Sequence, residues 1–149
     1  MTTTLVVTAT GIQVRFTGAD RIAACSRGLN VPFERIIGSR VMTRADAVAS
    51  SPHLPCPGSW WPGRLRAGSW GIGERRQLWS AHRSVYVLVV YLAGRPFHRI
   101  VIDLSDPRGT HRSIEAALLE SKIANIRHSL RGRRPPPKDD DAGPAAQGR

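Results

Sequence analysis

Long hydrophobic runs are missing from this sequence. The longest apolar stretch, residues 85–93, has nine residues, whereas a membrane-spanning helix needs about 20. The first residues also lack a basic segment followed by a long apolar one, so we expect no signal peptide and a cytoplasmic location. Cysteine is scarce too. Cys25 and Cys56 are too few for a disulfide framework in a chain of 149 residues, which agrees with a reducing compartment.

Lysine is nearly absent, and acidic residues are few. Of the 22 basic residues only Lys122 and Lys138 are lysine, and the 11 acids leave a net charge of +11. Arginine in place of lysine, with abundant Ala, Gly and Pro, is typical of GC-rich coding, but that bias does not explain the shortage of acids. The remaining charge should attract polyanions without sequence preference. Since no motif of a nucleic-acid reader accompanies it, we expect no specific nucleic-acid partner.

Catalytic and metal-binding motifs are missing as well. The chain contains neither G-x-S-x-G nor the phosphate-binding G-x-x-x-x-G-K-[ST]. His53 and Cys56 have a spacing that can bind zinc, but no second pair with ligand spacing follows. The sequence therefore predicts a protein that is not an enzyme, with no catalytic residues, no cofactor and no metal.

What the sequence does contain is a two-residue hydrophobic period over residues 1–112, typical of half-buried strands. Gly94 and Pro96 supply a hairpin turn between two of the predicted strands. Residues 85–92 are apolar at every position, so this strand should be buried on both faces or lie against a helix. The predicted strands are residues 12–16, 29–31, 36–42, 78–82, 84–92 and 97–104, with a short turn-helix near 19–25 and an irregular stretch at 50–68.

A helix and a tail follow the strands. Asp106 and Pro107 are a good N-cap and first helical residue, and Ser113 is an alternative start of the helix. One apolar stripe at helical spacing should pack on the strands; it consists of Ala116, Leu119, Ile123, Ile126 and Leu130. Beyond it the chain is rich in Pro, Gly and Asp and has no large apolar residue. We predict one domain over residues 1–130 and a disordered tail over residues 131–149.

The order of these signals resembles an actinobacterial family of uncharacterised proteins with a bacterial pleckstrin-homology-like (PH-like) domain. The residues that carry the resemblance span roughly 11–125: Ile12-Val14-Phe16, 28–32 leading into Ile36, Trp61-Pro62-Gly63, Gly68-Ser69-Trp70, 78–82, 91–102 and Asp106-Pro107. The resemblance implies a mainly β fold with a C-terminal helix, namely a seven-stranded, partly open barrel of two orthogonal antiparallel sheets capped by one amphipathic helix. It implies no activity, and basic residues near the first strands do not reproduce the spacing of lipid-binding relatives.

Tryptophan and arginine provide the candidate interaction residues. Trp70 and Trp79 lie in strands and should be core. Trp60 and Trp61 lie between prolines and either form a small local core or contact a partner, since indoles suit half-apolar, half-wet sites. The dense basic cluster at the helix end consists of Arg127, Arg131, Arg133 and Arg134.

Three hypotheses follow from these residues. The first is a non-enzymatic protein-interaction or scaffold domain with an unknown partner, able to associate with itself. The second is a peripheral membrane adaptor at the inner face of the plasma membrane, with weak contacts between basic residues and anionic lipid. The third is a non-specific nucleic-acid-binding accessory protein.

Overall fold

The structure, a computed structural model, describes residues 3–17, 28–51, 60–61, 65–82 and 84–132. Its strands are β1 Thr3–Val7, β2 Gly11–Phe16, β3 Gly28–Pro32, β4 Ile36–Thr43, β5 Trp60–Trp61, β6 Leu65–Trp70, β7 Gln77–Ala81, β8 Tyr86–Leu92 and β9 Arg99–Ile102. Its helices are α1 Arg44–Ala49 and α2 Pro107–Gly132. The prediction of a mainly β fold with a C-terminal helix is confirmed. The predicted turn-helix near 19–25 lies outside the described residues.

The strands form two sheets. The first has the order β1-β2-β3, and the second has the order β4-β8-β9-β7-β6-β5. Every pairing is antiparallel except that of β7 with β9, which is parallel. In the sheet, β9 lies between β8 and β7. The β8–β9 hairpin makes β9 antiparallel to β8, and β9 runs in the same direction as its other neighbour, β7. This one parallel pairing departs from the two antiparallel sheets expected, and over the described residues the nine strands do not close into a barrel.

Strand β8 shows how one segment serves two layers. Alternate side chains point to opposite faces of a strand, and here both faces are apolar and buried. Leu88, Val90 and Leu92 join the main core between the two sheets and α2. Val87 and Val89 join a second cluster with Trp70, Trp79 and Ala47 of α1. The predictions of a strand buried on both faces and of core positions for the two tryptophans are confirmed.

Helix α1 was not predicted. It has only six residues, follows β4 directly, and is capped by Thr43, whose hydroxyl accepts a hydrogen bond from the Asp46 amide at 3.1 Å. The Thr-x-x-Asp spacing is the local signal that could have indicated it, since this spacing is a capping signature at helix N-termini. Strand β5 and the first part of β6 also lie in the stretch 50–68 that the sequence indicated as irregular.

Helix α2 begins where predicted, because the Asp106 carboxylate accepts from the Gly109 amide at 2.8 Å. Its buried face is a different one from the face expected. Ile114 and Leu118 are buried in the main core, at 0% and 4% exposure. The helix packs on β4, β8 and β1 with its first turns. The predicted buried stripe was wrong, because the sheets cover the face of Ile114 and Leu118 instead, and the predicted stripe lies on another face of the same helix.

Candidate functional site: the exposed face of the C-terminal helix

The first half of α2 is held to the domain by polar contacts as well as by the core. Both the amide and the hydroxyl of Ser39 in β4 donate to Oε1 of Glu115, at 2.9 Å each. The same hydroxyl lies 2.7 Å from Nδ1 of His111. Arg108 adds a contact with the ring of Tyr86 in β8, 5.7 Å from its centroid. These contacts fix the direction in which the rest of the helix leaves the domain.

The second half of α2 exposes a continuous apolar stripe. Its four large side chains are 60%, 40%, 60% and 68% exposed. We call this set the outer stripe: Leu119, Ile123, Ile126 and Leu130. Large aliphatic side chains gain about 1.5–3 kcal/mol each when they leave water, and a cluster of them on one helix face indicates a binding surface.

Charged side chains border the outer stripe on both sides. Lys122 and Arg127 flank it, and Glu120 lies beside Arg127; all three are exposed. Of the predicted basic cluster, Arg127 and Arg131 are exposed and lie near the end of α2. Arg133 and Arg134 lie outside the described residues.

The tryptophan pair is placed away from this helix. Trp60 and Trp61 form β5, the outermost strand of the second sheet, and pair with Arg66 and Leu65 of β6. For these two residues the structure describes the main chain, so the alternatives of local core and partner contact stay as predicted. The opposite edge of the sheet is β4, on which α2 packs. Five strand spacings of about 4.8 Å separate the two edges, so β5 lies away from the edge on which α2 packs.

Ser39, His111 and Glu115 have the residue types of a catalytic triad but a different arrangement. In a triad the acid orients the imidazole and the imidazole accepts the serine proton. Here Glu115 Oε1 accepts directly from Ser39 at 2.9 Å, and its distance to His111 Nδ1 is 4.0 Å. A hydroxyl has one proton, so His111 Nδ1 donates to Ser39 while Ser39 donates to Glu115. This chain of hydrogen bonds joins α2 to β4, and it differs from a triad because the imidazole does not accept the serine proton.

A second polar cluster is buried beneath α1. Arg99 is 4% exposed and donates to Oγ of Ser50 at 3.0 Å and to the carbonyl oxygens of Ser50 and Ala47, both at 3.4 Å. A cation at the carbonyl end of a helix is favourable. Burial lowers the pKa of the Arg99 guanidinium, and Tyr91 opposes that shift. The contacts with α1 account for the position of this charge in the fold, and no local sequence signal indicated it.

A cleft of about 330 Å³ lies at the turn between β1 and β2. Its lining residues are Thr8, Thr10, Gly11, Ile12, Gln13, Asn30, Val31 and Pro32, none of which is titratable. Gly11 is required there, because a Cβ at this position would lie 2.1 Å from the carbonyl oxygen of Val31. The cleft can offer hydrogen bonds from hydroxyls and amides but no acid, base or nucleophilic thiol.

Within the described residues, no group of three or more His, Cys, Asp or Glu side chains could hold a metal ion, and no helix is long and apolar enough to cross a membrane. No family model, curated protein or solved structure matches this chain. The outer stripe is therefore the feature of the described structure that most directly indicates a function.

Proposed function

We propose that this chain is a non-enzymatic interaction domain that binds a protein partner through the outer stripe of α2. The observation that carries the proposal is the exposure of Leu119, Ile123, Ile126 and Leu130, between 40% and 68%, on one face of a helix whose other face is docked. Helices that bind protein grooves present apolar anchors at this spacing. The rigid attachment of the first turns through Ile114 and Glu115 orients the stripe in advance, which lowers the entropic cost of binding.

The experiment places a photo-crosslinking amino acid at Ile126 of the full chain in its native cell. The matched control places it at Ile72, which is 75% exposed on the body of the domain. We expect a discrete crosslinked protein from position 126 that is absent from position 72, and we expect Ile123→Gln to abolish it. The purified pair should then bind in a calorimeter. Equal crosslinking from both positions would contradict the proposal, because it would show that exposure alone explains the contacts.

A peripheral membrane adaptor is the second candidate, and the observation that favours it is the position of Lys122 and Arg127 on either side of the outer stripe. Basic residues beside an apolar stripe suit the surface of anionic lipid. Attraction of about 1 kcal/mol per basic residue would give binding to phosphatidylserine vesicles at about 50 mM salt that is largely lost at about 200 mM. DNA binding, the third hypothesis, should show the same salt dependence without needing the stripe. Comparing Ile123→Gln with the parent in both assays separates these two.

The PH-like architecture is part of the same proposal. Two sheets followed by a C-terminal helix that covers part of their core support it. The parallel pairing of β7 with β9 departs from it. A scaffold of this kind, working in the cytoplasm, agrees with the absence of catalytic motifs in the sequence.

A further inference from the structure

The outer stripe has the spacing of a helix that packs against another helix. Its steps are four, three and four residues, and Ala116, three residues earlier, is also exposed. Alternating steps of three and four residues place side chains at the a and d positions of a coiled coil. The a positions are Ala116, Ile123 and Leu130, and the d positions are Leu119 and Ile126.

The geometry of α2 leaves room for a second helix. At about 100° per residue, the outer stripe lies about 130° around the helix from the face formed by Ile114 and Leu118. The face that a partner helix would contact is therefore directed away from the domain. Because the stripe begins just after Leu118, a partner lying along it would meet the domain only at one end.

The charges beside the stripe distinguish the two directions in which a second copy could lie. In a parallel pair, each g position faces the e position five residues later in the partner. This arrangement would place Glu115 beside the partner copy of Glu120 and Lys122 beside the partner copy of Arg127. Both contacts would join like charges, and each would occur twice.

An antiparallel pair has the opposite result. Its e positions face each other, so Glu120 would lie beside the partner copy of Arg127, again twice in a symmetric dimer. The core layers would join Leu119 to Leu130 and Ile123 to Ile126 of the other copy, so that every residue of the outer stripe is covered. Opposite charges at such flanking positions favour one pairing and like charges exclude the other.

We propose that the outer stripe binds the outer stripe of a second copy of this chain in antiparallel orientation. This inference rests on the proposed function and names the partner of that surface. The overlap from Leu119 to Leu130 is about 16 Å long, shorter than a standard interface requires. The dimer is therefore weak, and the fraction of dimer increases as the protein concentration rises. A two-fold interface of this kind is self-complementary and closes at two copies.

The test is sedimentation equilibrium of the full chain from about 1 µM to about 1 mM, the range in which small interfaces associate. We expect the mass to rise towards that of a dimer, and Ile126→Gln to prevent the rise. Glu120→Arg alone and Arg127→Glu alone should each weaken the dimer about tenfold, because each converts two attractive contacts into repulsive ones. The double variant Glu120→Arg/Arg127→Glu restores opposite charges and should return the dissociation constant close to that of the parent.

Several results would overturn the inference. If either single charge reversal tightens the dimer, the helices are parallel. If Ile126→Gln dimerises like the parent, the contact lies elsewhere. If the parent stays monomeric up to about 1 mM, the stripe does not bind a second copy. In that case the proposed function stands if position 126 still crosslinks a different protein. It fails if position 126 crosslinks no protein. A monomer that binds vesicles of phosphatidylcholine and phosphatidylserine, and loses that binding on Ile126→Gln, would assign the stripe to lipid.

Discussion

Ser39 and Glu115, 76 positions apart in the chain, share two hydrogen bonds: the amide and the hydroxyl of Ser39 both donate to Glu115 Oε1 at 2.9 Å. This pair lies in the docked first half of α2. Ile114, one residue before Glu115, is fully buried, whereas Leu119, four residues after it, is 60% exposed. The contact therefore anchors the docked part of α2, whose last buried core side chain is Leu118, and the outer stripe begins directly after it.

The first prediction compares two isoleucines of the same helix in dilute solution. Ile114→Ala should lower the free energy of unfolding by about 2–4 kcal/mol, because it leaves a cavity in the main core. Ile123→Ala should change it by less than about 0.5 kcal/mol, since the side chain is solvated. Urea denaturation of both variants measures the difference. Equal midpoints would show that α2 is not docked through Ile114.

The same two residues show how far the sequence could predict this helix. Its start was predictable, because Asp106 and Pro107 are local signals. Its buried face was not, because α2 carries two apolar stripes at helical spacing and periodicity does not tell which one meets the sheets. That choice depends on where the sheets end, which is decided by residues far away in the chain.

Other elements divide in the same way. The hairpin at Gly94 and the double burial of β8 were predictable from turn residues and an unbroken apolar run. The parallel pairing of β7 with β9 was not predictable, because no local signal shows that β9, rather than β8, lies beside β7 in the sheet. The position of Arg99 under α1 could not be predicted either, because α1 itself had only the weak signal of one N-cap.

The second prediction concerns the anchor of α2. Glu115→Ala should cost about 0.5–1.5 kcal/mol, because it removes the acceptor of two hydrogen bonds in a partly solvated place. Ser39→Ala should cost less, since the amide of residue 39 can still donate to Glu115. Amide hydrogen exchange should become faster in the first turns of α2 in both variants. Glu120→Ala, on the exposed half, is the control and should leave that exchange unchanged; an equal effect there would contradict an anchoring role.

The third prediction concerns a polar contact in the second core cluster. Oε1 of Gln77 accepts from Nε1 of Trp79 at 3.0 Å, and both residues are buried. Gln77→Leu should lower the free energy of unfolding by about 1–3 kcal/mol, because it removes an acceptor from a buried donor. A double-mutant cycle with Trp79→Phe should give a coupling energy of about 1–2 kcal/mol. Strictly additive losses would show that the contact contributes nothing to stability.

The fourth prediction uses the burial of Arg99 to make stability depend on pH. Arg99 is 4% exposed, and burial lowers the pKa of its guanidinium. In Arg99→Lys the same burial should lower the pKa of the introduced ammonium below its ordinary value of about 10.4. The unfolded chain keeps the ordinary value.

The sign of the effect follows from proton binding. Between the lowered folded pKa and about 10.4, the folded variant has released its proton while the unfolded variant still holds it, so unfolding binds protons and the free energy of unfolding rises with pH. Arginine keeps its proton throughout this range, so the parent should show no such rise at this site. At neutral pH the free energy of unfolding of Arg99→Lys should therefore be lower than that of the parent, and this difference should shrink towards about pH 10. For Arg99→Met, which cannot titrate, the difference from the parent should stay constant. If the difference in free energy of unfolding between Arg99→Lys and the parent does not change with pH, the introduced ammonium reaches water. The space under α1 is then less closed to solvent than the burial of Arg99 indicates.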